Sequence, residues 1–316
     1  MLYCLLLSAF CLLAFGDCSI MRFKRIAIVG VGLIGGSFAL AARRAGLAER
    51  ITGWDNRETL EAAARRGFID DVEEPFGSGG VSDADLVYLA APVGAIIEFI
   101  VNRAESLGPG AIVTDAGSTK REICRVARES LPPGVHFVGG HPMAGSHKRG
   151  IDYASADLFR DAPYAVSPLG NIETLDGGYA NAVNTVIEVV KSLGGKPFVV
   201  SAEKHDRVVA RVSHLPQMVS TMLALCVARS GEDEAVELAG SGFADMTRLA
   251  ESEWSIWEDI CRTNCDEIAD ALDEFAGAIE SARAAMRDGD FQKARQSFHE
   301  ANAFMRRLRV ERGGTA

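Results

Sequence analysis

A histidine between a glycine and a proline is the residue of this sequence best suited to acid–base chemistry. His141 lies in the segment Gly140–Ser146, GHPMAGS, directly after a predicted strand over residues 136–139. Imidazole exchanges a proton near neutral pH, as a general base must. A second polar segment, Asp115–Lys120, also follows an apolar run and contains Ser118. Because both segments come after predicted strands, we expect them at the ligand edge of a parallel sheet.

Two further polar sets lie in the second half of the chain. Asp206, Ser213 and Gln217 are spaced seven and four residues apart, so a continuous helix would carry them on one face. His205 and His214 are expected to point elsewhere, as histidines satisfied within the core. The glycine-rich segment that begins at Gly240 ends at Arg248. Its guanidinium could bind a carboxylate through two parallel hydrogen bonds, although a surface ion pair is the alternative.

A glycine-rich turn, Gly30–Gly35 (GVGLIG), joins a predicted strand to a predicted helix. Gly30 allows the tight turn, Gly32 lets a pyrophosphate approach the backbone, and Gly35 lets helix and strand pack closely. The N–H groups and the dipole at the helix N-terminus would hold the anion. These features predict a dinucleotide-binding turn.

The identity of the dinucleotide depends on Asp55, which lies twenty residues after Gly35 at the end of a second predicted strand. A carboxylate there accepts the ribose hydroxyls of NAD and repels the 2′-phosphate of NADP, although Arg57 weakens this preference. We therefore predict NAD as the cofactor. The predicted cofactor-binding residues are Gly30, Gly32, Leu33, Ile34, Gly35, Asp55, Ala91 and Pro92.

The elements that must position these residues divide the chain in two. Six apolar runs predict strands, at residues 25–29, 51–54, 86–91, 112–114, 136–139 and 164–167. Because helical patterns alternate with them, we predict a parallel sheet with helices on both faces. Later residues form long helical stripes, such as the one from Ile268 to Met286, which suits a core or a subunit interface equally. The predicted fold is α/β: a Rossmann-type domain over residues 21–198 and an all-helical domain over residues 199–316.

Composition excludes several classes of protein. The chain has 316 residues, of which 48% are hydrophobic and 24% charged, so it is neither disordered nor fibrous. A net charge of −10 argues against nucleic acid as a partner. Cys261 and Cys265 would share one helix face, but no nearby ligand completes a metal site, so we predict ordinary reduced thiols and no metal.

The first twenty residues carry an apolar run from Leu2 to Phe15 that is too short to span a membrane comfortably. A secretory signal should have Lys or Arg before this run, and the first such residue is Arg22. We therefore interpret residues 1–20 as a mis-assigned start and Met21 as the initiator, with a cleaved signal as the alternative. A cytoplasmic protein with no membrane partner is expected.

The segments GVGLIGGS, DAGSTK, GGHPMAGS, SHLP and GFADMTRLA resemble, in this order, the prephenate/arogenate dehydrogenases of tyrosine biosynthesis. Members of that family oxidise prephenate or arogenate with NAD(P), release carbon dioxide, and form homodimers through a helical domain. The resemblance implies that His141 is the catalytic base and that Ser118 lies beside the substrate's ring hydroxyl. We expect Asp206 to hold the imidazole or to sit in the same network. The expected substrate-binding residues are Arg248, Gln217, Ser213 and Thr247.

Two positions depart from the pattern of some prephenate-specific members. Gln217 stands where those members have His, and Ala244 where they have Lys. Less positive charge is then available for the side-chain carboxylate of prephenate, and the ammonium of arogenate would be better tolerated. We predict NAD-dependent oxidative decarboxylation of prephenate to 4-hydroxyphenylpyruvate, with arogenate as a second or, alternatively, the preferred substrate.

Other classes of protein remain as alternatives. A β-hydroxyacid dehydrogenase or ketopantoate reductase would have a similar architecture, but it typically uses a catalytic lysine on the helical domain. No lysine occurs between Lys204 and Lys293. An NAD-binding sensor would not need His141 and Ser118. A membrane-anchored binding module would require the first twenty residues to be part of the translated protein.

Overall fold

The computed structural model describes residues 22–72, 81–144, 150–170 and 176–311, so the interpretation of residues 1–20 lies outside it. The chain divides into two compact units. The first contains the residues up to Asp206 together with Ser252–Thr263, and the second contains Arg207–Glu251 and the residues from Asn264 onward. The first unit thus extends past the single boundary expected after residue 198, and it includes a later helical segment.

A sheet of eight strands forms the centre of the first unit, in the order β3-β2-β1-β4-β5-β6-β7-β8. The strands are β1 Phe23–Val29, β2 Ala48–Trp54, β3 Asp71–Val72, β4 Leu86–Leu89, β5 Ile112–Asp115, β6 His136–Pro142, β7 Pro163–Pro168 and β8 Lys196–Val199.

Two features of this sheet differ from the expected six parallel strands. The strand β3 was missed because two residues are too short to show an apolar period. The strand β8 was missed because its four residues, KPFV, are exposed or half-buried and do not form an apolar run. The strands β6 and β7 pair antiparallel, whereas all other neighbours are parallel. An antiparallel pair needs no crossover helix, and the described part of its connection contains no helix other than the short 3₁₀ turn Ile151–Tyr153.

Helices cover both faces of the sheet, as predicted. The α-helices of the described residues are α1 Leu33–Arg44, α2 Arg57–Arg65, α3 Val93–Arg103, α4 Arg121–Ser130, α5 Gly177–Ser192, α6 Ala202–Val209, α7 Leu215–Ala228, α8 Ala235–Leu238, α9 Ser241–Thr247, α10 Trp254–Thr263, α11 Cys265–Asp288 and α12 Phe291–Glu311. One apolar core contains residues of α1, α2 and α5, and a second contains residues of α3 and α4. Phe38 of α1 stacks on Tyr88 of β4, with ring centroids 3.8 Å apart.

A π-helical turn, Ala210–His214, separates α6 from α7. The expectation that Asp206, Ser213 and Gln217 share one helix face assumed a continuous α-helix. The π turn holds more residues than an α turn and interrupts that spacing. His214 is buried and lies 3.3 Å from the side-chain amide of Asn264, so it is a core histidine.

The second unit is helical and keeps much of its apolar surface exposed. In the predicted stripe on α11, Ile268 is buried, whereas Ile279 and Met286 are more than half exposed. On α12, Phe291 and Phe298 are also exposed. Among the described residues, no helix is both long and apolar enough to cross a membrane.

Candidate active site

The glycine-rich turn between β1 and α1 has the shape that a pyrophosphate requires. Gly30 has a φ of +87°, and a Cβ added there would lie 2.6 Å from the carbonyl oxygen of Ala90. A Cβ at Gly35 would overlap the carbonyl oxygen of Gly30, whereas a Cβ at Gly32 would meet no atom within 4 Å. The turn is thus closely packed beneath its first and last glycines and open at the middle one. Because α1 begins here, its free N–H groups are available to an anion.

The other predicted cofactor residues lie at the same edge of the sheet, because β1 is flanked by β2 and β4. Asp55 follows β2, and its carboxylate accepts the main-chain N–H of Val31 at 2.7 Å, which joins it to the glycine turn. Leu33 and Ile34 are the half-buried first residues of α1. Ala91 and Pro92 connect β4 to α3. Arg57, expected to weaken the NAD preference, pairs with Glu61 at 3.0 Å.

Alanine substitutions at two glycines should separate packing from cofactor binding. We expect Gly35→Ala to lower the free energy of unfolding by about 3 kcal/mol, since its Cβ meets backbone that cannot move aside. Gly32→Ala should leave stability near the wild-type value but weaken NAD binding, since its Cβ fills the open space. Urea unfolding and NAD titration measure the two effects. Equal loss of stability in both variants would contradict this assignment.

A buried ion pair fixes the turn after β5. Asp115 and Lys120 are both fully buried, and the ammonium of Lys120 contacts the carboxylate of Asp115. The same carboxylate accepts the main-chain N–H groups of Gly117 at 2.8 Å and Gly140 at 2.9 Å. These two polar side chains therefore tie β5 to the end of β6, and Ser118 lies half-buried in the turn that they hold.

Three side chains form a hydrogen-bonded series that connects the end of β6 to the buried start of α6. Nδ1 of His141 lies 2.9 Å from Nε2 of His205. Nδ1 of His205 lies 2.7 Å from Oδ1 of Asp206. The expectation that His205 points elsewhere is wrong, since the helix turns it toward His141. Asp206 belongs to the same network as His141, which was one of the two arrangements expected for it. The adjacent pair His205 and Asp206 is the sequence signal that was missed.

Asp206 also caps α4. Its two carboxylate oxygens accept the main-chain N–H groups of Lys120 at 2.7 Å and Arg121 at 2.9 Å. A carboxylate at a helix N-terminus is stabilised by the free N–H groups and the helix dipole. Asp206 is fully buried, so these hydrogen bonds fix its position and, through it, that of His205.

Two buried tyrosines near this edge do not offer acid–base chemistry at neutral pH. The hydroxyl groups of Tyr88 and Tyr164 are 3.3 Å apart and buried. Burial raises the pKa of both groups, so they stay protonated. Within the described ranges, no group of three or more His, Cys, Asp or Glu side chains could hold a metal ion. Cys261 and Cys265 lie on different helices, α10 and α11, rather than on one face.

The expected substrate-binding residues belong to the second unit. Ser213 is half-buried in the π turn, and Arg248 is exposed immediately after α9. Thr247 donates its hydroxyl proton to the carbonyl oxygen of Phe243 at 2.7 Å. Gln217 is buried, and its amide nitrogen donates to the carbonyl oxygen of Leu249 at 2.8 Å.

The amide of Gln217 has a defined orientation. Besides Leu249, its nitrogen lies 3.3 Å from the hydroxyl oxygen of Thr221. An amide nitrogen carries two protons, and both have acceptors here. A ligand that meets this side chain therefore meets the carbonyl oxygen, which only accepts hydrogen bonds.

Comparison with known families identifies both parts of the chain. Residues 38–199 match the nucleotide-binding domain of prephenate dehydrogenase, and residues 201–300 match the dimerization domain of prephenate dehydrogenase. The chain belongs to the prephenate dehydrogenase family. Among curated members of this family, the chain is 34% identical to the prephenate dehydrogenase of Bacillus subtilis, with 92% of this chain and 77% of the relative covered. It is 31% identical to that of Lactococcus lactis, with 92% and 79% covered.

Solved structures in the family have the same fold. The prephenate dehydrogenase of A. aeolicus, in complex with hydroxyphenyl propionate and NAD+, matches with a TM-score of 0.77 and 29% identity over 94% of this chain and 99% of that one. The arogenate dehydrogenase of Synechocystis matches with a TM-score of 0.77 and 27% identity, covering 90% of this chain and 99% of that one. The predicted family and fold class are confirmed.

Proposed function

We propose that this chain catalyses the NAD-dependent oxidative decarboxylation of prephenate to 4-hydroxyphenylpyruvate, and that it also converts arogenate to tyrosine. The observation that carries the proposal is the hydrogen-bonded series His141, His205 and Asp206 at the edge where the glycine turn opens. Relatives named for prephenate and a structural neighbour named for arogenate support the two substrates.

The proposed roles follow from the chemistry of each side chain. His141 takes the proton of the ring hydroxyl, Ser118 orients that hydroxyl, and Arg248 binds a substrate carboxylate. Gly32, the N-terminus of α1 and Asp55 hold NAD, which supplies the acceptor for the hydride that leaves the same ring carbon. Loss of the ring carboxylate then gives the aromatic product. The protein therefore needs to orient the substrate and remove one proton.

The substrate range is proposed from Gln217 and Ala244. Because both amide protons of Gln217 already have acceptors, the side chain offers a ligand only its carbonyl oxygen. A carbonyl oxygen accepts from the ammonium of arogenate, but it cannot donate to the keto oxygen that prephenate has at the same position. Ala244 adds no charge. These side chains support use of arogenate beside prephenate.

The test is NADH formation by purified protein, with prephenate and arogenate offered in parallel. Turnover of either substrate is expected, and Gln217→His should raise the prephenate-to-arogenate ratio of kcat/KM about tenfold, or ~1.4 kcal/mol of differential binding. Gln296→His on the exposed face of α12 is the control and should leave the ratio unchanged. If NAD binds but neither substrate reacts, the proposed reaction is wrong.

We also propose a homodimer assembled through the helical unit in the cytoplasm. The match to a dimerization domain and the exposed apolar side chains Ile279, Met286 and Phe298 support this arrangement. Light scattering after gel filtration should give twice the chain mass. A monomer at micromolar concentration would contradict the proposal.

A further inference from the structure

The hydrogen bond between His141 and His205 determines which ring nitrogen of His141 is unprotonated and can accept a proton. Nδ1 of His141 and Nε2 of His205 are 2.9 Å apart, so one ring donates and the other accepts. A neutral imidazole has one N–H and one unprotonated nitrogen. The partner of the other nitrogen of His205 therefore decides the direction of this bond.

Asp206 is that partner. Its carboxylate can only accept hydrogen bonds, and it already accepts the main-chain N–H groups of Lys120 and Arg121. The guanidinium of Arg121 also pairs with this carboxylate, its Nε lying 3.5 Å from Oδ2, and Nδ1 of His205 lies 2.7 Å from Oδ1. Nδ1 of His205 must therefore carry the proton, and Nε2 of the neutral ring is an acceptor. His141 then donates from its own Nδ1, which leaves its Nε2 unprotonated.

We propose that His205 is a positioning residue that holds His141 in the Nδ1-protonated tautomer, with Nε2 as the base toward the substrate hydroxyl. This inference rests on the proposed function. The opposite tautomer would present an N–H to the hydroxyl and could not take its proton. When Nε2 receives the proton, His141 carries protons on both nitrogens while its Nδ1–H remains bonded to His205. Asp206 and His205 are buried, and His141, at the end of the series, is half-buried.

The tautomer can be measured without substrate. In protein labelled with ¹⁵N-histidine, at about pH 8, above the ordinary imidazole pKa, ring nitrogen shifts distinguish N–H from unprotonated nitrogen. We expect Nδ1 to be protonated and Nε2 unprotonated in both His141 and His205. The ring nitrogen signals that disappear in His141→Asn belong to His141. A proton on Nε2 of His141 in the wild-type protein would overturn the proposal.

Two substitutions of His205 separate tautomer control from packing. His205→Phe keeps a ring but removes both nitrogens, and kcat should fall about 10²-fold with little change in KM for NAD or substrate. His205→Gln can return an acceptor to the position of Nε2, so its kcat should be at least about tenfold higher than that of His205→Phe. A purely structural role would give the two variants similar rates.

The control is His136→Phe at the start of the same strand, where the ring packs 5.9 Å from that of Tyr179. It should leave kcat and the His141 nitrogen shifts unchanged. Wild-type rates in His205→Phe would overturn the inference. If the wild-type protein turns over neither substrate, the proposed function fails, but the nitrogen shifts still decide the tautomer. If His205→Phe does not fold, the wild-type spectrum still tests the tautomer of His141, and the kcat of His205→Gln still tests the role of His205.

Discussion

Replacing His141 by asparagine is expected to lower kcat by about 10³–10⁴-fold, the upper part of the range for a lost general base. Asparagine can form a hydrogen bond but cannot take up the proton of the ring hydroxyl at neutral pH. The glycine turn and Asp55 are unchanged, so NAD should bind as in the wild-type protein. Initial rates of NADH formation and a direct NAD titration measure the two quantities.

A matched substitution on the same strand controls for changes in the sheet. His136→Asn lies at the opposite end of β6 and should leave kcat unchanged. If His141→Asn kept a tenth or more of the wild-type kcat, an effect of only ~1.4 kcal/mol on the barrier, another group would have to be the base. The assignment of His141 would then be wrong.

Replacing Lys120 by methionine is expected to lower the free energy of unfolding by about 3–5 kcal/mol, because it leaves a fully buried carboxylate without its cation. Asp115 would still accept the N–H groups of Gly117 and Gly140, but its charge would be uncompensated. Activity should fall as well, since this carboxylate joins the turn that carries Ser118 to the strand that carries His141. Urea unfolding and NADH formation measure the two effects.

The charge explanation can be checked with two further variants. Lys191→Met removes an exposed lysine that pairs with Glu188 at 2.7 Å, and it should change stability by less than ~1 kcal/mol. Adding Asp115→Asn to Lys120→Met removes the unpaired charge and should recover part of the lost stability. A double variant less stable than Lys120→Met would show that hydrogen bonding, rather than charge, holds the turn.

In the helical unit, the sequence alone does not distinguish apolar residues of the core from apolar residues on the exposed surface. The stripe on α11 has one period throughout, yet Ile268 is buried and Met286 is exposed in the single chain. Periodicity identifies a face that needs covering, but not what covers it. In the sheet unit, periodicity was enough to predict the layers, because helices on both faces are the way a parallel sheet buries its strands.

Features that depend on neighbouring residues could be predicted from the amino-acid sequence alone. The turn from Gly30 to Gly35, the carboxylate of Asp55 after the second strand, and His141 at the end of a strand all follow from local spacing and from the chemistry of each side chain. The alternation of strands and helices was enough to determine the fold class, since few topologies satisfy it.

The way in which distant groups act together depends on the packing of whole elements and was not predictable from the sequence. His141 and His205 are separated by 64 positions, and their hydrogen bond depends on where α6 begins relative to the end of β6. The burial of Lys120 against Asp115 and the π turn before α7 are likewise invisible to a periodic pattern. A periodic pattern records which face of an element is apolar, whereas a hydrogen bond requires two atoms within about 3 Å. That distance is set by the packing of whole elements, and here the packing places Asp206 behind His205 and His205 behind His141.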